Sequence, residues 1–159
     1  MQVRDARPAD AGAVLALNNS AAPNVNVITL EVLERIIALA VHYRVAEDAD
    51  GIAGFVICLP SDAEYWSENH RWFGARYATF LYLDRVVVAE RVRGQGVGAL
   101  LYDDMHAFAR TQWPRVTLEV NLAPPNPGSV RFHERLGYVR VGEREYDGGA
   151  VAMYVRDLP

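Results

Sequence analysis

The chain has 159 residues, 51% of them apolar, with 16 basic and 20 acidic side chains and a formal net charge of −4. These totals predict one globular domain over residues 1–159 with a substantial core, and they exclude a disordered chain. A mildly acidic chain without a basic tract is a poor nucleic-acid binder, and because every basic residue is arginine it cannot form an enzyme Schiff base through lysine.

Met1 to Asp5 lacks a signal-peptide core, and no apolar run reaches membrane-spanning length, so a cytoplasmic protein with no membrane partner is expected. Gln2 to Ala6 reads as a short edge strand. Arg7-Pro8-Ala9-Asp10 opens a helix, since Pro8 suits its first turn and Asp10 its dipole. Ala13, Val14, Leu15 and Leu17 form the apolar side of that helix to about Asn18, where Asn18-Asn19-Ser20 and Pro23 to Asn26 break it. A second helix follows the N-cap candidate Thr29 and runs to about Ala40, with Leu30, Leu33, Ile37 and Val41 on one face. His42 to Glu47 and Ile52 to Leu59 read as a hairpin across the turn Asp48 to Gly51. Its second strand holds the only cysteine, Cys58, which excludes an internal disulfide and a cysteine-based zinc cluster and reads as core.

Ala63 to Ala78 is rich in aromatic and charged residues and has no clear period. It is long for a connection between two strands, which fits a functional segment as well as an apolar cover. Phe80 to Val88 is the central strand. A glycine-rich turn follows, then an amphipathic helix from Val97 to Arg110 with Val97, Leu100, Leu101, Met105 and Phe108 inward and Asp103 and Asp104 outward. Trp113-Pro114 stops it. Arg115 to Asn121 is the next strand, parallel to the central one because a long helical crossover joins them. Pro124 to Gly128 turns into a short helix, Ser129 to Leu136, closed by Gly137. Tyr138 to Tyr146 and Ala150 to Val155 form a last hairpin over Asp147-Gly148-Gly149. The four histidines show no metal spacing, so no metal is expected.

The turn reads Arg93-Gly94-Gln95-Gly96-Val97-Gly98. Glycines there let backbone N–H groups approach a ligand, and the helix start that follows suits a phosphate. A dinucleotide loop needs G-x-G-x-x-G and a later acid; a P-loop needs a lysine after its glycines; this turn meets neither pattern. It resembles the coenzyme A pyrophosphate loop, Q/R-x-x-G-x-G/A, of the GCN5-related N-acetyltransferase (GNAT) superfamily, with Arg93, Gly96 and Gly98 at the fixed positions. A second motif of that family, N-x-x-[A/S]-x-x-[F/L]-Y-x-x-x-G-[F/Y], is similar to Asn126, Ser129, Phe132, His133, Gly137 and Tyr138, with His133 standing where tyrosine is usual. The resemblance covers essentially the whole chain and is specific from Leu81 to Tyr138.

The resemblance implies an α/β fold, in the order βααβββαβαββ. Its mixed six- to seven-stranded sheet is flanked by about four helices, with β4 and β5 parallel and splayed. It implies acetyl transfer from acetyl-CoA, without a metal, to an amine of a small-molecule or peptide acceptor, and allows a homodimer through the C-terminal strands. Arg93, Gly94, Gln95, Gly96, Val97 and Gly98 would hold the pyrophosphate. Backbone groups of Val86, Val87 and Val88 would receive the pantetheine arm and the thioester oxygen. Asn126 and Ser129 would lie beside the arm, and His133 would return a proton to the sulfur. Asp84 and Glu119, each a carboxylate inside an apolar strand, are the candidate bases. A bulge near Asp84 would reverse which face it shares. Asn18, Asn19, Asn24 and Asn26, with Tyr65 to Tyr77, would line the acceptor end. A Ser129–His133 hydrolase pair lacks both a nucleophile elbow and an acidic third member. An acyl-CoA-binding regulatory module without turnover is the alternative that the departure at His133 keeps open.

Overall fold

The computed structural model describes residues 1–159. Seven strands form one mixed sheet: β1 Gln2–Asp5, β2 His42–Asp48, β3 Gly51–Pro60, β4 Leu81–Val88, β5 Arg115–Ala123, β6 Val139–Tyr146 and β7 Gly149–Asp157. Their spatial order is β1-β2-β3-β4-β5-β7-β6, antiparallel throughout except for the parallel pair β4–β5. Five helices cover the faces: α1 Ala11–Ser20, α2 Leu30–Leu39, α3 Glu68–Gly74, α4 Val97–Ala109 and α5 Pro127–Arg135. None of them is long and apolar enough to cross a membrane.

The sheet divides two cores. Val56, Cys58, Leu81, Leu83, Leu118 and Tyr154 pack with Leu101 and Met105 of α4, while Phe55, Ile57, Phe80, Tyr82 and Met153 pack with Val14, Leu33, Ile36 and Phe73 of α1, α2 and α3. Gly54 permits the first packing, because a side chain there would meet the Val87 carbonyl at 3.0 Å and Leu101 at 3.1 Å. Gly142 permits the second. A Cβ on it would lie 2.6 Å from the Trp72 ring of α3, so α3 rests directly on β6. Gly142→Ala is therefore expected to lower Tm by several degrees in thermal unfolding, an overpacking cost of about 1–3 kcal/mol. An unchanged Tm would mean that α3 is not held there.

Two expectations change, and one open alternative is decided. The stretch Ala63 to Ala78 contains α3, capped by Ser67, whose hydroxyl accepts from the His70 amide, and it buries Tyr65, His70 and Phe73. On α2 the buried face is Leu33 and Ile36; Leu30 and Val41 are exposed, since Leu30 opens the helix and Val41 lies beyond its last residue. On α4, Leu100 is exposed and Phe108 only half-buried, while Tyr102, His106 and Ala109 go inward with Val97, Leu101 and Met105. The polar tips of Tyr102 and His106 are buried because each finds a partner across the packing, His133 and Tyr138.

Candidate active site

β4 and β5 pair only at Leu81–Val116 and Tyr82–Thr117, then part. β4 stays paired to β3 as far as Val88, and β5 to β7 as far as Ala123, so the sheet opens between two intact halves. The β3–β4 register slips between Ile57 and Cys58, which face Arg85 and Leu83 and leave Asp84 as the bulged residue. The bulge reverses the strand's parity. Phe80 and Tyr82 share a face with Val87, while Leu81 and Leu83 share the other with Val86 and Val88. The Ala89 amide donates to the Ala53 carbonyl on the β3 side at 2.7 Å; by alternation the N–H groups of Val88 and Val86 turn to the opening and that of Val87 to β3.

At one end of the opening lies the glycine turn. Gly94 and Gly96 have φ of +76° and +81°, left-handed values that L side chains resist. The turn leads into α4 with Gly96 as its N-cap, and the N–H groups of Gly94, Gly96, Val97 and Gly98 make no hydrogen bond in the protein. Arg93 and Gln95 are exposed beside them. A nest of free N–H groups at the start of a 13-residue helix, with Gly94 and Gly96 exposed, fits a pyrophosphate.

Beneath the opening is a cleft of about 500 Å³ lined by Asp84, Val86, Tyr102, Glu119, Asn126, Ser129 and His133, among others. Asp84, Val86, Glu119, Asn126, Ser129 and His133 thus meet there, while Val88 packs against the α4 core and Val87 directs its side chain to the α1–α3 core. Glu119 is held from both sides. Tyr82 donates its hydroxyl to both carboxylate oxygens at 2.7 and 2.9 Å, and Asn69 donates its amide to Oε1 at 3.0 Å. Burial pushes the Glu119 carboxyl up to about 7; the Tyr82 and Asn69 hydrogen bonds oppose the rise and the Asp84 charge adds to it.

Asp84 is differently placed. Its Oδ1 accepts from Tyr65 at 2.7 Å and its Oδ2 from Arg85 at 2.9 Å, with the side chain 4% exposed. Arg85 continues to Asn18 at 3.1 Å and Asn26 at 3.2 Å. Asn19 binds the backbone of Ile28 through both ends of its amide, so these asparagines organise the α1–α2 loop, and the Asn24 carbonyl accepts from Asn121.

His133 is buried, and its Nδ1 lies 2.7 Å from the Ser129 carbonyl, which can only accept. Nδ1 therefore carries the proton, and Nε2 accepts from the Tyr102 hydroxyl at 2.6 Å. Burial holds the imidazole below its usual range, against the pull of the Ser129 carbonyl. Ser129 Oγ lies 3.2 Å from Nδ1, but a protonated nitrogen cannot take its proton, and neither ring nitrogen meets a carboxylate. A Ser–His hydrolase has no footing here. Asn126 caps α5 by accepting from the Ser129 amide at 3.3 Å. Burial raises the Cys58 thiol well above its usual range, and no cluster of histidine, cysteine and carboxylate could hold a metal ion.

Sequence reading singled out none of Tyr82, Tyr102 and Arg144, and reached Asn69 only within the Tyr65–Tyr77 segment. Tyr82 lies in an apolar strand, Tyr102 falls off the apolar stripe of its helix, and the contacts that give Asn69 its place span 50 and 75 residues of chain.

A family model described as an acetyltransferase (GNAT) domain matches residues 40–140, more than half of the chain. No curated protein matches it. Among solved structures the chain is similar to Ard1 from Thermoplasma volcanium, at 20% identity and a TM-score of 0.80, over 99% of this chain and 97% of that one. It is also similar to a ribosomal-protein-alanine N-acetyltransferase from Brucella melitensis, at 22% identity and a TM-score of 0.74, over 99% and 100%. Naa20 from Chaetomium thermophilum, solved in complex with a bisubstrate analogue, shares 21% identity at a TM-score of 0.77, over 99% and 87%. Identities this low speak for a shared fold.

Proposed function

Because this chain belongs to the GNAT acetyltransferase family, we propose that it moves an acetyl group directly from acetyl-CoA to the amine of a small-molecule or peptide acceptor. The observation that carries this reading is the cleft that opens where β4 and β5 part, with the Glu119 carboxylate facing it two residues beyond the last pair and raised by burial to about 7. A group poised near neutral pH can take a proton from an ammonium and still be half ionised in the cell.

Acetyl-CoA, when bound, supplies the acyl group as a thioester. The chain supplies the rest. The N–H groups of Gly94, Gly96, Val97 and Gly98 suit the pyrophosphate, with the exposed Arg93 and Gln95 alongside. The N–H groups of Val86 and Val88 suit an extended arm laid along β4 and a carbonyl oxygen that gains charge. Asn126 and Ser129 line the cleft opposite them. Glu119 takes the amine proton. As the carbon–sulfur bond breaks, Tyr102 turns its one hydroxyl hydrogen from His133 Nε2 to the departing sulfur and protonates it; the phenolate then regains a proton from solvent and returns to Nε2, so His133 acts by positioning the ring. Asp84 shapes the acceptor end through Arg85 and the α1–α2 loop.

Coenzyme A release in the presence of acetyl-CoA and a panel of amines tests the reading, together with the rise in Tm on adding acetyl-CoA. Turnover with at least one amine is the expected result. Tight acetyl-CoA binding with no turnover across a broad panel would instead mark an acyl-CoA-binding module. Tyr102→Phe is expected to lower kcat by about 10- to 100-fold at unchanged acetyl-CoA affinity, and His133→Phe to act in the same direction. Full activity in both variants would remove the pair from the reaction.

A further inference from the structure

Glu119 is linked to a cation through one side-chain amide. Asn69 gives its Nδ2 to Glu119 Oε1 at 3.0 Å and takes Arg144 Nε on its Oδ1 at 2.8 Å. The sheet register brings the three together. Arg144 of β6 faces Val151 of β7, Val151 faces Asn121 of β5, and Glu119 stands two residues along from Asn121 on the same face. Asn69 reaches between them from α3, which Trp72 fixes on Gly142. Glu119, Asn69 and Arg144 all line the cleft.

Arg144 has binding capacity left. Its Nη1 donates to Glu68 at 2.9 Å, but that carboxylate is 71% exposed, and its Nη2 makes no hydrogen bond. An exposed ion pair of this kind contributes little and exchanges readily for a ligand's anion. The other arginine of the cleft, Arg85, has Nε on Asp84, Nη1 on Asn18 and Nη2 on Asn26, which leaves no nitrogen free. The cleft's other carboxylate, Asp84, is paired with Arg85 and Tyr65, so the cleft offers one carboxylate without a cation of its own and one guanidinium with a free nitrogen, separated by an amide and its two hydrogen bonds.

Resting on the amine-acetylation reading above, we propose that the acceptor is a free amino acid or a close zwitterionic analogue, its α-amine at Glu119 and its carboxylate on Arg144. Opposite charges at the two ends of a short molecule match opposite charges at the two ends of this array. A polyamine would set a second cation against Arg144, and a peptide N-terminus would offer Arg144 only a neutral carbonyl in place of the carboxylate.

The test supplies acetyl-CoA with each proteinogenic amino acid, its amide, its decarboxylated amine and a short peptide beginning with it, and follows coenzyme A release. At least one free amino acid is turned over, and its amide and decarboxylated amine show kcat/KM lower by at least about tenfold. Arg144→Gln erases that difference by raising KM for the amino acid while leaving acetyl-CoA affinity as it was. Glu68→Gln, which removes the competing carboxylate, lowers the same KM. Equal rates for the amino acid and its amide overturn the proposal, as does a parallel loss on both substrates in Arg144→Gln. Turnover of peptides or other amines but of no amino acid overturns the acceptor alone, as does acetyl-CoA binding without turnover of any amino acid. Failure of acetyl-CoA to raise Tm overturns the underlying reading.

Discussion

Glu119→Gln is expected to lower kcat/KM by about 10²- to 10⁴-fold at pH 8 and, at the same pH, to raise Tm. Both effects come from one carboxyl group. In the wild type its folded pKa lies near 7 and its ordinary value at 4.5. A raised pKa means that the folded chain holds the proton more tightly than the unfolded one. The resulting contribution to stability is full below pH 4.5, declines as pH rises toward 7, and is a constant penalty above that. Glutamine cannot ionise, so the variant escapes the penalty at pH 8 and gains nothing at pH 4. Its amide oxygen can still accept from Tyr82, which keeps the local packing. Activity follows the opposite sign. A base must be deprotonated, so wild-type kcat/KM should fall about tenfold per pH unit below 7 and level off above it, and the variant's residual rate should lack that limb. A flat wild-type profile from pH 5.5 to 8, or a fully active variant, would rule Glu119 out as the base.

Gly96→Glu is expected to weaken acetyl-CoA binding by about 100-fold or more, measured by titration calorimetry, while the protein stays folded by circular dichroism. A side chain at Gly96 meets nothing within 4 Å, so packing does not resist it. The backbone does, since φ is +81° and a left-handed residue with a Cβ costs roughly 1–2 kcal/mol. The larger effect is electrostatic. A carboxylate would stand among the free N–H groups of Gly94, Val97 and Gly98 and would meet a pyrophosphate with like charge. Gly96→Ala carries the backbone strain without the charge and should fall between. Unaltered affinity in Gly96→Glu would count against the loop assignment.

Most of the fold could be read from local signals: the apolar run from Ile52 to Leu59, the N-cap at Thr29, and Gly137 closing α5 at a φ of +87°, although α5 opens at Pro127, two residues before the expected Ser129. The glycine turn was readable too, because its geometry is made by its own residues. What could not be read depends on partners far along the chain. The bulge at Asp84 is expected from the family resemblance alone; it is a mismatch between β3 and β4 that no local signal marks, and it turns the N–H groups of Val86 and Val88, rather than Val87, to the opening. Leu100 fitted a hydrophobic stripe better than Tyr102 or His106, yet those two are inside, since pairing with His133 and Tyr138 removes the cost of burying their polar tips. The Glu119–Asn69–Arg144 array joins β5, α3 and β6, and no single segment announces it.

The two residue pairs that join β4 to β5 have a mechanical consequence. Backbone hydrogen bonding binds β1 to β4 into one panel and β5, β7 and β6 into another, and the seam between the panels is fastened at one end only. Above that fastening, the Tyr82–Glu119 contact is a side-chain stitch across the seam. The carboxylate proposed to receive the proton also laces the panels together, and protonating it leaves Tyr82 one strong acceptor oxygen instead of two. Chemistry and the tautness of the sheet are in that sense governed by the same oxygen atoms.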